Sequence, residues 1–190
     1  MSIFVTSDTH YHHKRILEFT KRPFSTIEEM REGLISRWNE RVSRSDLVYH
    51  LGDFSFSKDP LEWDKILSRL NGQKHLIRGN HDHSVVVKKV KGFQKIDYYK
   101  EIQVEKQRIV MFHYACSVWS SSHHGSIQLF GHSHGSFKVP EDRRQMDVGV
   151  DVQNCYPISI EEVIKRMQKI EVKPSDYHGR EDYYVPVRNV

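Results

Sequence analysis

Five times along the chain a short apolar run stops and gives way at once to aspartate, asparagine or histidine. IFVTS leads into Asp8 and His10, LVYHL into Asp53, HLIRG into Asn80 and His81, RIVMF into His113, and IQLFG into His132 and His134. Runs of this length read as buried strands. Between the first three lie helical patterns. Thr26 and Glu29 form an S/T-x-x-E capping box, after which Met30, Leu34, Ile35 and Trp38 share one face up to Val42. Asp59 and Pro60 begin a second helix with Leu61, Ile66, Leu67 and Leu70 as its apolar side, and Gly72 stands near its stop. A further strand is expected over Met146 to Val150, and Ser159 with Glu162 starts a last helix, SIEEVIKRMQKI. Strand, helix, strand in alternation points to an α/β fold, a sheet covered by helices on both faces.

In open α/β sheets ligands bind at the carboxyl ends of the strands, so residues distant in sequence meet on one rim. Asp8, His10, Asp53, Asn80, His113, His132 and His134 would share that rim: two carboxylates, one amide oxygen and four imidazoles. Mixed nitrogen and oxygen donors are unlike the all-oxygen cages of magnesium or calcium and suit manganese, iron, zinc, cobalt or nickel. The set is too large for one tetrahedral zinc. It serves two cations if a carboxylate bridges them, which holds the metals ~3.5–4 Å apart, as in two-metal hydrolytic sites. Two dications against two carboxylates leave excess positive charge to attract a phosphate and acidify a water. Each piece also has a plainer reading. His50, inside LVYHL, reads as a packed or hydrogen-bonded histidine, GNHD is also a common strand-to-turn junction, and GHSH could sit in a surface loop.

The rest of the composition sets bounds. At 190 residues the chain suits one domain, taken as 1–172, followed by a polar extension over 173–190 whose Tyr183 and Tyr184 could pack on the core. No apolar run reaches the ~18 residues of a membrane span. The N-terminus starts with a strand-like run, so no signal peptide is expected. Cys116 and Cys155 form neither a disulfide framework nor a CxxC pair and fit a reducing cytoplasm. A formal charge of +4 mildly favours anionic partners.

Through DTH, GD, GNHD, H and GHSH, in that order from about Ile3 to Val152, the chain resembles the calcineurin-like metallophosphoesterase superfamily, in its small form without a cap. The resemblance implies a four-layer α/β/β/α sandwich with a dinuclear centre at the strand ends. It assigns Asp8, His10 and His134 to a first metal, Asp53 as bridge, and Asn80, His113 and His132 to a second, with manganese as the expected pair. It also implies His81 as general acid oriented by Asp82, and Arg78 as a grip on phosphate oxygens. The mechanism it implies is in-line attack on phosphorus by a metal-bridging hydroxide. The chain departs from the pattern where many members carry a glycine before the fourth-motif histidine; here Phe112 precedes His113.

The expected activity is hydrolysis of small or nucleotide-like phosphoesters, as phosphodiesterase or phosphatase. Variable contacts are expected from Tyr11 to Arg22, with Lys14, Arg15, Lys21 and Arg22, and from Ala115 to Ser126, where Trp119 either stacks on a base or anchors its loop. Two alternatives stand beside it. One is a nuclease or nucleic-acid end-processing enzyme, suggested by the basic balance. The other is a non-catalytic interaction scaffold, against which the complete ligand set and His81 count. His12 and His13, just after the first motif, could approach the site but read first as surface residues, and His75, His83, His123, His124 and His178 as structural or rim residues.

Overall fold

The computed structural model describes residues 1–172; the extension over 173–190 lies outside them. Two sheets stack face to face. In the first, β1 (Ile3–Thr6), β2 (Leu47–His50), β3 (Gln73–Ile77) and β4 (Lys95–Asp97) run parallel in the order β4-β3-β2-β1, and β9 (Ile158–Ser159) adds antiparallel to β1. In the second, β5 (Tyr99–Val104) pairs antiparallel with β6 (Gln107–Phe112), which continues in parallel to β7 (Ile127–Phe130) and β8 (Gln145–Asp147).

Alternation along each strand explains why the runs are apolar throughout. Phe4, Val48 and Leu76 point to a core under the helices, while their neighbours Val5, Tyr49 and Ile77 point to the core between the sheets, where Ile109, Met111, Ile127 and Leu129 meet them. The helical layer is α1 (Ile16–Phe19), α2 (Ile27–Arg41), α3 (Pro60–Leu67) and α4 (Ser84–Val87), while α5 (Ile160–Met167) sends Ile160, Val163 and Met167 into the inter-sheet core. The fourth layer is thin. Residues 114–126, with one 3-10 turn at Ser122–His124, lie over the second sheet, where Gln128 accepts from the Cys116 amide and donates to the Tyr114 carbonyl. Among the described residues no helix is long and apolar enough to cross a membrane.

The caps form as the sequence dictates. Thr26 accepts from the Glu29 amide, Asp59 from Leu61 and Ser159 from Glu162, each typically worth ~1 kcal/mol. Glu29 reaches back one residue further than a capping box requires, to the Ser25 amide. Leu61 is not part of the core. It is 64% exposed, and the apolar face of α3 turns on Trp63, Ile66 and Leu67 instead. The expected strand over 146–150 ends at Asp147, because its Oδ1 accepts from the Gly149 amide and bends the chain.

Candidate metal centre

Because β1, β2 and β3 are parallel, as are β6 and β7, all five strand ends point to one edge of the stacked sheets. Backbone hydrogen bonds continue the pairing past the strands and stitch the loops together: Asp8 N–H to Gly52 C=O, His10 to Asp53, Gly131 to His113, and Val150 to Ser7. The seven expected ligands converge as two groups. Asp8, His10 and His134 form one and Asp53, His113 and His132 the other; within each, one ligand atom per residue lies within 4.8 Å of the others. Asn80 adjoins the second group, its Oδ1 3.1 Å from His113 Nε2. Asp53 stands between the groups, with Oδ2 3.7 Å from His10 Nε2 and 3.6 Å from His113 Nε2.

The backbone is bent to achieve this. Asp8, His10, Asp53, His132 and His134 all adopt left-handed φ of 57°, 50°, 56°, 66° and 47°. For residues with a side chain this conformation costs ~1–3 kcal/mol each and persists only where the surroundings enforce it. Two glycines make room. A Cβ on Gly79 would fall 2.2 Å from Asp53 Oδ1, and one on Gly131 would fall 1.9 Å from Ser7 Oγ. These approaches explain the glycines of GNHD and GHSH.

The donors suit cations. Both ring nitrogens of His10 are buried and make no hydrogen bond among the described residues, and burial holds its pKa down to about 2. A neutral imidazole with an unused lone pair, facing carboxylates, is a ligand waiting for a partner. Burial lifts the Asp8 carboxyl to about 7 in the protein alone, although His113, His134 and the Ser7 hydroxyl oppose it. Burial also works against the Asp53 anion, yet the hydrogen bond and charge of His113, the His81 amide and His10 outweigh it and hold the pKa down to about 2. His113 and His134 are raised despite burial, the first by Asp53 and the second by its hydrogen bond to Asp151.

His81 lies at the opening. Its side chain is 41% exposed, Nε2 is 4.0 Å from Asp53 Oδ2, and its ring packs 4.5 Å from Phe56. Asp82 does not orient it. That carboxylate is buried and accepts from the amides of Asp53, Phe54 and Gly79, so it ties the GD and GNHD turns together. Phe56 is the ring that packs on it instead. Arg78 donates to the Asp82 carbonyl, the Ser84 hydroxyl and Tyr98, whose ring it also covers at 4.7 Å. A guanidinium held in this way braces the loop, while its buried Nε has no hydrogen-bond partner among the described residues.

Four further side chains matter. Asp151 Oδ2 lies 2.6 Å from His134 Nδ1, and Asp151 is also held bidentate by Arg22, which donates in turn to the carbonyls of Asp8 and Thr9. Arg22 is therefore a buried brace rather than a variable substrate contact. Asp151 follows the rule that located the others, since it comes straight after the apolar run ending at Val150. Tyr114 donates to Asn80 Oδ1 at 3.4 Å, and His13 stacks on Phe56 at 3.8 Å. Tyr114 carried no sequence signal, whereas His13 was marked only by its place just after DTH. His50 is packed, with Nε2 3.0 Å from Thr9 Oγ1. Trp119 is only 9% exposed and donates to Ser126, so it anchors its loop.

The calcineurin-like phosphoesterase superfamily domain matches residues 1–150. An uncharacterized protein of Methanocaldococcus jannaschii, MJ1445, is 33% identical over 176 residues, which is 90% of this chain and 93% of that one. Among solved structures, a protein of unknown function from Aquifex aeolicus, AQ665, superposes with a TM-score of 0.68 at 23% identity, covering 87% of this chain and 98% of its own. With that domain match spanning the whole rim of carboxylates and imidazoles, the chain belongs to the calcineurin-like phosphoesterase superfamily.

Proposed function

We propose that the chain is a dinuclear metal-dependent phosphoester hydrolase. The observation that carries this reading is the pair of abutting ligand groups with Asp53 between them and the unpartnered His10 ring in one of them. Asp8, His10 and His134 would hold one divalent ion, Asn80, His113 and His132 the other, and Asp53 both. Manganese is the first choice, and iron, zinc, cobalt and nickel fit the same donors. Ions held there supply positive charge for the phosphoryl oxygens and lower the pKa of a bound water from ~15.7 towards ~7.

The protein's own part is placement. Leu51 C=O fixes the His113 ring at 2.6 Å and Asp151 fixes His134, so each presents its other nitrogen to the centre. His81, exposed beside Asp53 and held by Phe56, is placed to give its proton to the leaving oxygen. The reading is tested by hydrolysis of p-nitrophenyl and bis-p-nitrophenyl phosphate after loading with Mn²⁺. Turnover that depends on the metal is expected. Folded protein with occupied sites and no turnover with any transition metal would end the proposal. His81→Ala should keep the metal content and lower kcat by ~10²–10⁴-fold; an unchanged rate removes His81 from the chemistry. The nuclease alternative loses Trp119 as a stacking platform, because the indole is buried.

A further inference from the structure

Beside the first ligand group lies a cavity of about 650 Å³, lined by Phe19, Lys21, Arg37 and Tyr156 and reaching His134 and Asp151. Its volume falls within the ~300–1,000 Å³ of ordinary ligand pockets. Asp53, His81 and Asn80 do not line it, so the cavity is suited to a part of a bound molecule beyond the reacting phosphorus. Its charge is not balanced. Arg22 is spent on Asp151, whereas Lys21 and Arg37 form no ion pair among the described residues.

Arg37 is the distinctive group. Its guanidinium carbon sits 5.0 Å over the Phe24 ring and 5.6 Å over that of Tyr156, which fixes the plane of the fork. Its Nη1 is buried and has no hydrogen-bond partner among the described residues, although the guanidinium also interacts with the Cys155 thiol on the cavity wall. A donor shut away from water without an acceptor is unfavourable unless an acceptor arrives, and a planar guanidinium matches the two oxygens of a phosphate or carboxylate. The two aromatic rings hold it in place without neutralising it.

We propose that this cavity is a subsite for a second oxyanion of the substrate, bound by Arg37 with help from Lys21. The substrate class is then a phosphoester whose remaining part carries another phosphate or carboxylate. This rests on the hydrolase reading above for the word substrate, but binding can be measured without the reaction.

The test uses Mn²⁺-loaded full-length protein and calorimetric titration with the non-hydrolysable methylenephosphonate analogues of adenosine 3′,5′-bisphosphate and adenosine 3′-monophosphate, so that the centre holds one phosphorus group of either probe. Wild type should bind the bisphosphate about tenfold more tightly or better, the effect of one added charge-assisted hydrogen-bonded pair. Arg37→Gln should bring that ratio close to one, and Arg37→Lys, which keeps the charge but loses the fork, should leave an intermediate ratio. Melting curves check folding. If Arg37→Gln fails to fold, Lys21→Gln at an exposed position should still lower the ratio, by about threefold. Equal binding of the two probes by wild type, or a ratio that survives these substitutions, overturns the subsite. The two readings fail separately. A ratio present without Mn²⁺-dependent turnover sinks the hydrolase alone, and turnover with a ratio of one sinks the subsite alone.

Discussion

The two ligand groups stand side by side on one rim, yet they are built differently. In the first, Asp8 is fully buried, accepts from the Ser7 hydroxyl at 2.7 Å and takes the His132 amide on both oxygens at 3.0 and 2.9 Å. His134 is clamped by Asp151, Asp151 by Arg22, and Arg22 by the carbonyls of Asp8 and Thr9, so the DTH and GHSH turns form one bolted unit. In the second, His113 is fixed by one carbonyl, but His132 and Asn80 are exposed and lean on Tyr114. The first group is organised before anything binds, and the second is open on one side. Such asymmetry predicts a tight, slowly exchanging site beside a weaker one that exchanges with solvent.

The strongest way to break that contrast is to remove the bolt. Arg22→Met leaves the Asp151 carboxylate, almost wholly buried, with the His134 ring as its one counter-charge among the described residues. Unpairing a buried ion pair costs ~3–5 kcal/mol, and the remaining imidazole keeps the expected loss near the lower figure. The matching change on the other side, Arg78→Met, removes hydrogen bonds from a partly exposed side chain and should cost about 1 kcal/mol. Denaturant melts of both variants decide the matter, and equal losses would mean that the two sides are braced alike.

A milder change sharpens the comparison instead. Asp151→Asn keeps the shape but weakens the hold on His134 Nδ1 and the pairing with Arg22. Loss of an outer carboxylate behind a histidine ligand typically costs ~10–100-fold in metal affinity. Titration with Mn²⁺ should show the tighter of two binding steps weakened by that factor and the looser one unmoved. If both steps shift together, the groups are coupled through Asp53 more strongly than they are separated by their braces.

The same contrast shows what could be read from the sequence. The convergence of the seven candidate ligands was legible because each follows an apolar run, and parallel pairing delivers every such position to one edge. The caps at Thr26, Asp59 and Ser159 were legible because they depend on neighbours three or fewer residues away. The half-exposed edge strands β4 and β5 were not, since KID and YKEIQV lack a sustained apolar run. The side chains of Asp82 and Arg78 turn to loop partners that no motif announces. Sequence shows that they flank His81 but not where their side chains turn, and backbone amides with no motif of their own claimed Asp82 first. The Arg22 brace spans 129 positions to Asp151, a pairing no local pattern announces.

The smallest expected effect tests the open side. Tyr114 reaches Asn80 through a long hydrogen bond of 3.4 Å at an exposed position. Such a contact is worth under about 1 kcal/mol, because water competes for both partners. Tyr114→Phe should therefore weaken only the looser Mn²⁺ step, by roughly two- to fivefold, and leave the tighter one and the melting temperature where they were. The ring stays in place against His132 and His113, so packing is not in question. A change confined to the tighter step would reverse the assignment of the two groups, because Tyr114 makes its hydrogen bond to Asn80, beside the group that this comparison ranks as the weaker.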